Sequence, residues 1–196
     1  MNIILTTEQV NEAYKLAKRS FERWQKAPGY YTNKFRSHYI GKLGEFAVEK
    51  LLKTMELTII PYFRDEQKEQ LCDIVVNYLD QEPIKIEIKT WTKSYWTDLG
   101  RCISVGQLPT LQRKCNTILW CVVTEPIPLI DPTIISSFCV DVNCWSSILD
   151  VEKAPIRMTG RPGMRLINNY QLDEEKLRNI DSLVKLLKDQ GKSQSI

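Results

Sequence analysis

The stretch from Leu71 to Trp91, LCDIVVNYLDQEPIKIEIKTW, constrains this chain more than any other. Aliphatic and charged residues alternate on either side of a polar centre, which predicts two strands joined by a turn. Fourteen positions separate Asp73 from Glu87. That number is even, so the two acids face each other only across a turn with an odd number of residues centred on Asp80, and Tyr78 to Glu82 suits it. In this register Val76 opposes Ile84 and Ile74 opposes Ile86. With Ile88 they form one apolar face, because successive strand side chains alternate sides. The other face collects Asp73, Lys85, Glu87 and Lys89. The pairing that buries the aliphatics is therefore the one that gathers two carboxylates and a lysine, and a slip of one residue would put Asp73 on the face opposite Glu87.

Such a cluster is a metal site in outline. Hard divalent cations such as Mg²⁺ prefer carboxylate and carbonyl oxygens and keep several waters, so Asp73, Glu87 and the carbonyl of Ile88 would leave room for water and a phosphate. Lys89, two residues beyond the second acid, lies beside that water. There it can orient or deprotonate the nucleophile, or offset charge on the phosphorane. An amphipathic hairpin whose Glu87 and Lys89 simply face solvent shows the same alternation.

The upstream stretch GKLGEFAVEKLL, residues 41–52, separates the two readings. Leu43, Ala47, Val48, Leu51 and Leu52 recur at helical spacing. Gly41 and Gly44 are costly in a helix unless something must approach its backbone closely. Glu45 lies off the apolar stripe. A small-residue helix bearing one acid, then a strand, then Asp and E-x-K on a hairpin, resembles the PD-(D/E)XK nuclease superfamily, the restriction-endonuclease-like fold. The family's proline-aspartate is Cys72-Asp73 here. The resemblance covers roughly residues 38–124. It implies that Glu45 supports or ligates a metal, that Asp73 and Glu87 are metal ligands, and that Lys89 is the catalytic lysine. Mg²⁺ is the expected cofactor, with Mn²⁺ able to substitute.

At 196 residues the chain suits a single domain. It divides into an amino-terminal helix and basic loop (1–36), a nuclease-like core (37–124), and an accessory strand, arginine-rich loop and final helix (125–196). A chain of this size should bury roughly 70% of its unfolded surface without a staple. The six cysteines contain no C-x-x-C pair and there is one histidine, which disfavours disulfides and structural zinc. No signal peptide and no apolar run near 18 residues is present, so the expectation is a soluble cytoplasmic protein with no membrane partner. The net charge of +3 does not by itself mark a nucleic-acid binder, but its distribution is uneven: residues 1–55 hold ten Lys/Arg against five Asp/Glu, and the remainder seventeen against nineteen. A localised basic surface suits a polyanion, and a solvated helix face has the same composition.

Thr6 with Gln9 forms a capping-box signature and Leu5 with Val10 a staple, predicting a helix from there to about Lys26. Lys15, Lys18 and Arg19 lie on it, while Tyr14 and Trp24 read as packing residues. The segment YYTNKFRSHY, with Lys34 and Arg36, is basic and aromatic, fit to stack bases and contact phosphates or to pack under the next helix, and Lys42 just beyond it reads as a further nucleic-acid contact. His38 reads as a cap or a phosphate contact. Leu57 to Phe63 reads as the first sheet strand. After Lys89, the aromatic and hydroxyl-rich TWTKSYW carries Lys93. Arg101 to Val105 reads as a short strand and Gln107 to Lys114 as a helix, with Pro109 in its first turn. Gln107 either stands near a phosphate or merely begins the helix. Asn116 to Thr124 reads as a buried strand that must cross right-handedly to lie parallel to a partner, completing an α/β fold with an αβββαβ core, a central mixed sheet and added terminal helices. Thr133 to Val142 reads as an accessory strand. Pro155 to Arg165 is acid-free and bears Arg157, Arg161 and Arg165, a loop able to clamp phosphates or to lie exposed. Asp173 to Gln190 reads as a last helix, with Leu177, Ile180, Val184 and Leu187 as a stripe suited to cap the sheet or to pair with a second copy in a homodimer.

These features lead to the expectation of a Mg²⁺-dependent DNA endonuclease of restriction, repair, recombination or mobile-element type. The alternative is a nucleic-acid-binding or assembly protein that keeps the fold without cleaving.

Overall fold

The hairpin forms in the expected register: Ile74 pairs with Ile86, Val75 with Lys85 and Val76 with Ile84. The computed structural model describes residues 1–25, 34–78, 81–97, 99–124, 127, 137–160 and 166–192, with the side chains of 34 and 190–192 excepted. Lys26, part of the Asp80 turn, the proline-rich segment after Thr124, Arg161, Arg165 and the side chain of Lys34 lie outside the described residues.

The elements run β1 (Asn2–Thr6), α1 (Thr7–Trp24), α2 (Lys34–Thr54), β2 (Ile59–Pro61), β3 (Ile74–Val76), β4 (Ile84–Thr92), α3 (Lys93–Trp96), β5 (Cys102–Ser104), α4 (Leu108–Lys114), β6 (Thr117–Val123), β7 (Ser137–Ser147), α5 (Ile148–Glu152), β8 (Ile156–Thr159), β9 (Ile167–Gln171), β10 (Arg178–Asn179) and α6 (Ile180–Lys192). The fold is α/β. Among the described residues its central sheet has the order β1-β7-β6-β4-β3-β2, with β10 also pairing β7. The sheet is mixed, since β4 and β6 run parallel while β2–β3, β3–β4, β6–β7 and β1–β7 are antiparallel. From α2 to β6 the chain order is α2, β2, β3, β4, α3, β5, α4 and β6, with β5 outside the central sheet. No helix among the described residues is long and apolar enough to cross a membrane.

Strand alternation sends side chains to two apolar layers. Ile74, Val76, Ile84, Ile86, Ile88, Leu119 and Cys121 meet Leu43, Ala47 and Leu51 of α2, the inner side of α1, and Ile180, Leu183 and Leu187 of α6. On the other face Ile118, Trp120 and Val122 meet Leu108 and Leu111 of α4 and Ile148 and Val151 of α5. Every residue of β6 is buried as a result. The Thr6–Gln9 capping box is formed, and Leu5 and Val10 are both fully buried. Gly44 is where α2 meets β4: a Cβ built there would overlap the Thr90 hydroxyl. At Gly41 nothing lies within 4 Å, so close approach explains only the second glycine.

Several expectations need correction. The first sheet strand is only Ile59–Pro61, because the chain turns through a short 3-10 segment at Tyr62–Arg64. This turn drives Phe63 into the core, edge-on to Phe46 with ring centroids 5.4 Å apart. Arg101 to Val105 does hold a strand, β5, in a separate three-stranded sheet β5-β9-β8, and it is the expected loop Pro155 to Arg165 that changes, since its Ile156–Thr159 stretch is strand β8 paired with β9. The accessory strand is β7, which lies inside the central sheet between β6 and β1. The last helix begins at Ile180, where Asn179 Oδ1 accepts the Asp181 N–H at 2.9 Å. Leu177 precedes that start and packs into the other apolar layer, so the stripe on the main core is Ile180, Leu183 and Leu187.

Candidate active site

The acids meet where β3 ends and β4 continues. Past Ile86, the edge of β4 that faced β3 has no further strand partner among the described residues, and Asp73 lies beside it. Its backbone N–H donates to Ile86 O at 3.0 Å, and its carboxylate Oδ2 accepts the Ile88 N–H at 2.6 Å. In an extended strand the N–H and C=O of one residue leave on the same edge, so the Ile88 carbonyl emerges beside Asp73. Glu87 is 5% exposed. Lys89 Nζ donates to its Oε1 at 2.8 Å, and Lys114 Nζ lies 2.8 Å from its Oε2. Glu45 arrives from α2, 8% exposed, with its Oε2 2.7 Å from Lys42 Nζ.

The electrostatics are uneven across the three acids. Burial, followed by the charges of Glu87 and Glu45, holds the Asp73 pKa well above the ordinary carboxylate value, against the pull of Lys89. Burial likewise raises Glu45, with Lys42 opposing. For Glu87 burial acts upward too, but Lys89 and Lys114 outweigh it and the net shift is downward. Lys89 moves up: burial opposes its charge, and Glu87 more than compensates. Burial pushes the neighbouring thiols of Cys72 and Cys115 up to about 11 and about 12, so both are protonated near neutral pH in the metal-free protein.

What remains for a cation is an all-oxygen donor set. Among the described residues no three His, Cys, Asp or Glu side chains are arranged to hold a metal. A bound ion would therefore take the Asp73 and Glu87 carboxylates, the Ile88 carbonyl and water, a set that suits Mg²⁺ or Mn²⁺. The fit is supported by two buried oxygens, Glu45 Oε2 and Glu87 Oε2. Each has a lysine at contact distance but no aligned hydrogen bond, so acceptor capacity is left in the site.

The strain on Asp73 is testable without metal. A carboxyl whose folded pKa is raised contributes stability that is fully present below its unfolded pKa and is lost as pH rises through the folded value. Asp73→Asn keeps an oxygen for the Ile88 N–H and removes the charge. It is expected to be at least as stable as the wild type at about pH 8 and to lose the decline that the wild type shows as pH rises above the unfolded carboxylate pKa of about 4, as read by urea unfolding in EDTA. A mutant clearly less stable at the upper pH would show that the ionised carboxylate stabilises the fold.

The residues expected to contact nucleic acid are dispersed. Lys15 and Lys18 are exposed on α1, and Lys93 is exposed at the start of α3, directly after β4. Arg36 lies in the first turn of α2, partly buried, and Lys34 begins that helix. Gln107 is the exposed residue preceding α4, where its carbonyl accepts from Thr110 and Leu111. Arg157 is exposed and paired with Asp173 at 2.9 Å. Two assignments change. Arg19 is engaged within the molecule, 3.3 Å from Glu66 and bonded to Arg64 O at 3.4 Å, because the acidic loop after Arg64 folds back on α1. Lys42 is 7% exposed and held on Glu45, so it belongs to the acid cluster and not to an outer basic surface. His38 lies within α2, and its Nδ1 is 3.0 Å from Ser20 Oγ, tying α2 to α1.

Lys114 is the site residue that sequence reasoning missed. Its signal lay in the topology: the parallel pairing of β6 with β4 sets Thr117 against Ile86, which brings the end of the crossover helix next to Glu87. No protein-family model matches this chain, and no curated protein sequence matches it.

Proposed function

We propose that this protein is a metal-dependent nuclease of the PD-(D/E)XK type that hydrolyses phosphodiester bonds in DNA. The observation that carries the reading is the convergence of Asp73, Glu87 and Lys89 at the edge of β4 past its pairing with β3, with Glu45 of α2 in the same electrostatic field, within an αβββαβ order of elements into which α3 and β5 are inserted. A bound divalent cation supplies Lewis acidity and an activated water. Asp73 and Glu87 present the oxygens that hold it, the Ile88 carbonyl adds a third, and Glu45 steadies the field with Lys42. Lys89, fixed on Glu87, orients the attacking water and offers a cation to the phosphoryl oxygen as charge develops there. The exposed Lys15, Lys18 and Lys93 would contribute affinity through phosphate contacts.

A second reading, a nucleic-acid-binding protein that does not cleave, is favoured by the Lys114–Glu87 pair. With it, Lys42, Lys89 and Lys114 balance Glu45, Asp73 and Glu87 without any metal. Thermal unfolding separates the two. A ligand that binds only the folded state at a hundredfold excess over Kd adds about 2.7 kcal/mol, which for a chain of this size raises Tm by about 5–10 °C. Mg²⁺ or Mn²⁺ is expected to produce such a rise in the wild type and in Glu82→Ala, a turn carboxylate outside the site, and to lose it in Asp73→Asn. A wild-type Tm indifferent to both metals would favour the non-cleaving reading.

A further inference from the structure

Glu87 carries two lysines where the proposed chemistry uses one, and they hold it differently. Lys89 Nζ makes an aligned hydrogen bond to Oε1 at 2.8 Å. Lys114 Nζ approaches Oε2 equally closely, at 2.8 Å, yet that oxygen has no aligned hydrogen bond. Lys114 thus pairs with Oε2 at hydrogen-bonding distance but without the alignment that Lys89 has on Oε1, and a poorly aligned contact is the weaker one and the easier to exchange.

The backbone beneath Lys114 is fixed. It is the last residue of α4. Cys115 N–H donates to Leu111 O at 2.9 Å, Asn116 N–H to Lys85 O at 3.1 Å, and Asn116 Oδ1 accepts from Lys85 N–H at 3.1 Å. The crossover helix therefore ends clamped to β4 two residues before Glu87. The Lys114 side chain is 20% exposed and extends from this anchor on a flexible four-carbon stem.

Resting on the nuclease reading of this site, we propose that Lys114 is a placeholder cation. It neutralises Glu87 Oε2 in the metal-free protein, yields that oxygen to an incoming divalent cation, and so sets the affinity of the site for metal. The need for a placeholder follows from burial. An ionised carboxylate 5% exposed and left half-paired is strongly destabilising, and Lys89 satisfies only one oxygen. The competition follows from Coulomb's law. An ammonium and a divalent ion cannot share one oxygen without strong repulsion in a poorly solvated site. Lys114 is thus a positioning residue that trades metal affinity for stability of the empty site.

The experiment is Mn²⁺ titration of the full chain, with unbound Mn²⁺ read by electron paramagnetic resonance. It compares the wild type, Lys114→Met, Lys114→Gln, Lys114→Arg and Asp73→Asn, each also melted in EDTA. Both neutral variants are expected to bind Mn²⁺ about tenfold more tightly or better, and to melt below the wild type in EDTA. Lys114→Arg should stay near the wild type in both. The Gln variant keeps the test valid should Met not fold. If the wild type binds Mn²⁺, loses binding on Asp73→Asn, and matches both neutral variants, the placeholder is overturned while the metal site stands. If neutral variants bind and the wild type does not, Lys114 blocks the oxygen without yielding it, and the placeholder is overturned. If none of these proteins binds Mn²⁺, the metal-site reading fails and takes the placeholder with it.

Discussion

Lys89→Ala is expected to lose DNA cleavage by at least about a hundredfold while binding DNA nearly as well as the wild type. The division follows from its position. Its ammonium is fixed on Glu87 Oε1 at 2.8 Å, next to the Asp73 carboxylate whose pKa it lowers. In the proposed mechanism it stands where charge would develop during phosphodiester attack. In the proposed function, affinity would come instead from cations exposed elsewhere, on α1 and after β4. Loss of Lys89 leaves Glu87 held only by Lys114 on its second oxygen, so the variant is expected to melt below the wild type, and its rate is to be compared at a temperature where it remains folded. Lys89→Arg should not restore the rate, because a planar guanidinium fork places its donors differently from a point ammonium. Cleavage at the wild-type rate would remove Lys89 from the mechanism, and equal losses of rate and affinity would make it a binding residue.

The largest stability effect of a conservative change is expected at Gly44. In an exposed helix Gly→Ala gains about 1 kcal/mol, and Gly41→Ala, with nothing within 4 Å, should show up to that gain. At Gly44 the new methyl would overlap the Thr90 hydroxyl and lie 3.0 Å from Thr90 Cβ and 3.1 Å from Cγ2. Relief requires Thr90 to rotate or α2 to lift off β4, and overpacking of this kind costs about 1–3 kcal/mol net. Lifting α2 would also carry Glu45, the next residue, away from the site. Thr90→Ala removes the hydroxyl and the methyl, so the Gly44→Ala/Thr90→Ala pair should recover most of the loss, a coupling readable in a double-mutant cycle by urea unfolding. Additive losses in the pair would mean that the close approach does not determine the effect of Gly44→Ala.

What could be read from the sequence, and what could not, divides along the range of the interactions involved. The β3–β4 register followed from parity and an apolar face, both local properties of a short hairpin, and Ile74, Val76, Ile84 and Ile86 pair as those properties require. The cap at Thr6 is local as well. The parallel β4–β6 pairing followed from the constraint on crossover connections. By contrast β1 was missed, because NIILT is short and its partner is β7, with Asn2 set against Asp141, a pairing that leaves no mark near either strand. The same distance hid the central place of β7. The candidate site divides the same way. Asp73, Glu87 and Lys89 sit on one hairpin, and Glu45 carried a helical signature. Lys42 looked like a surface cation until α2 packed it against the acids, and Lys114 comes from a helix whose end is positioned only by the assembled sheet. Arg19 was counted as basic surface because its partner Glu66 lies in a loop whose path no local pattern encodes.

The most direct test of the central claim is cleavage itself. Wild type, Asp73→Asn and Lys89→Ala should each be incubated with supercoiled, linear, branched and single-stranded DNA in Mg²⁺, Mn²⁺ or EDTA. The wild type is expected to cut at least one of these substrates with Mg²⁺ or Mn²⁺ and none in EDTA, and both variants to be inactive on that substrate while still folded. Absence of cutting by the wild type under every condition, or cutting that survives Asp73→Asn, would contradict the account.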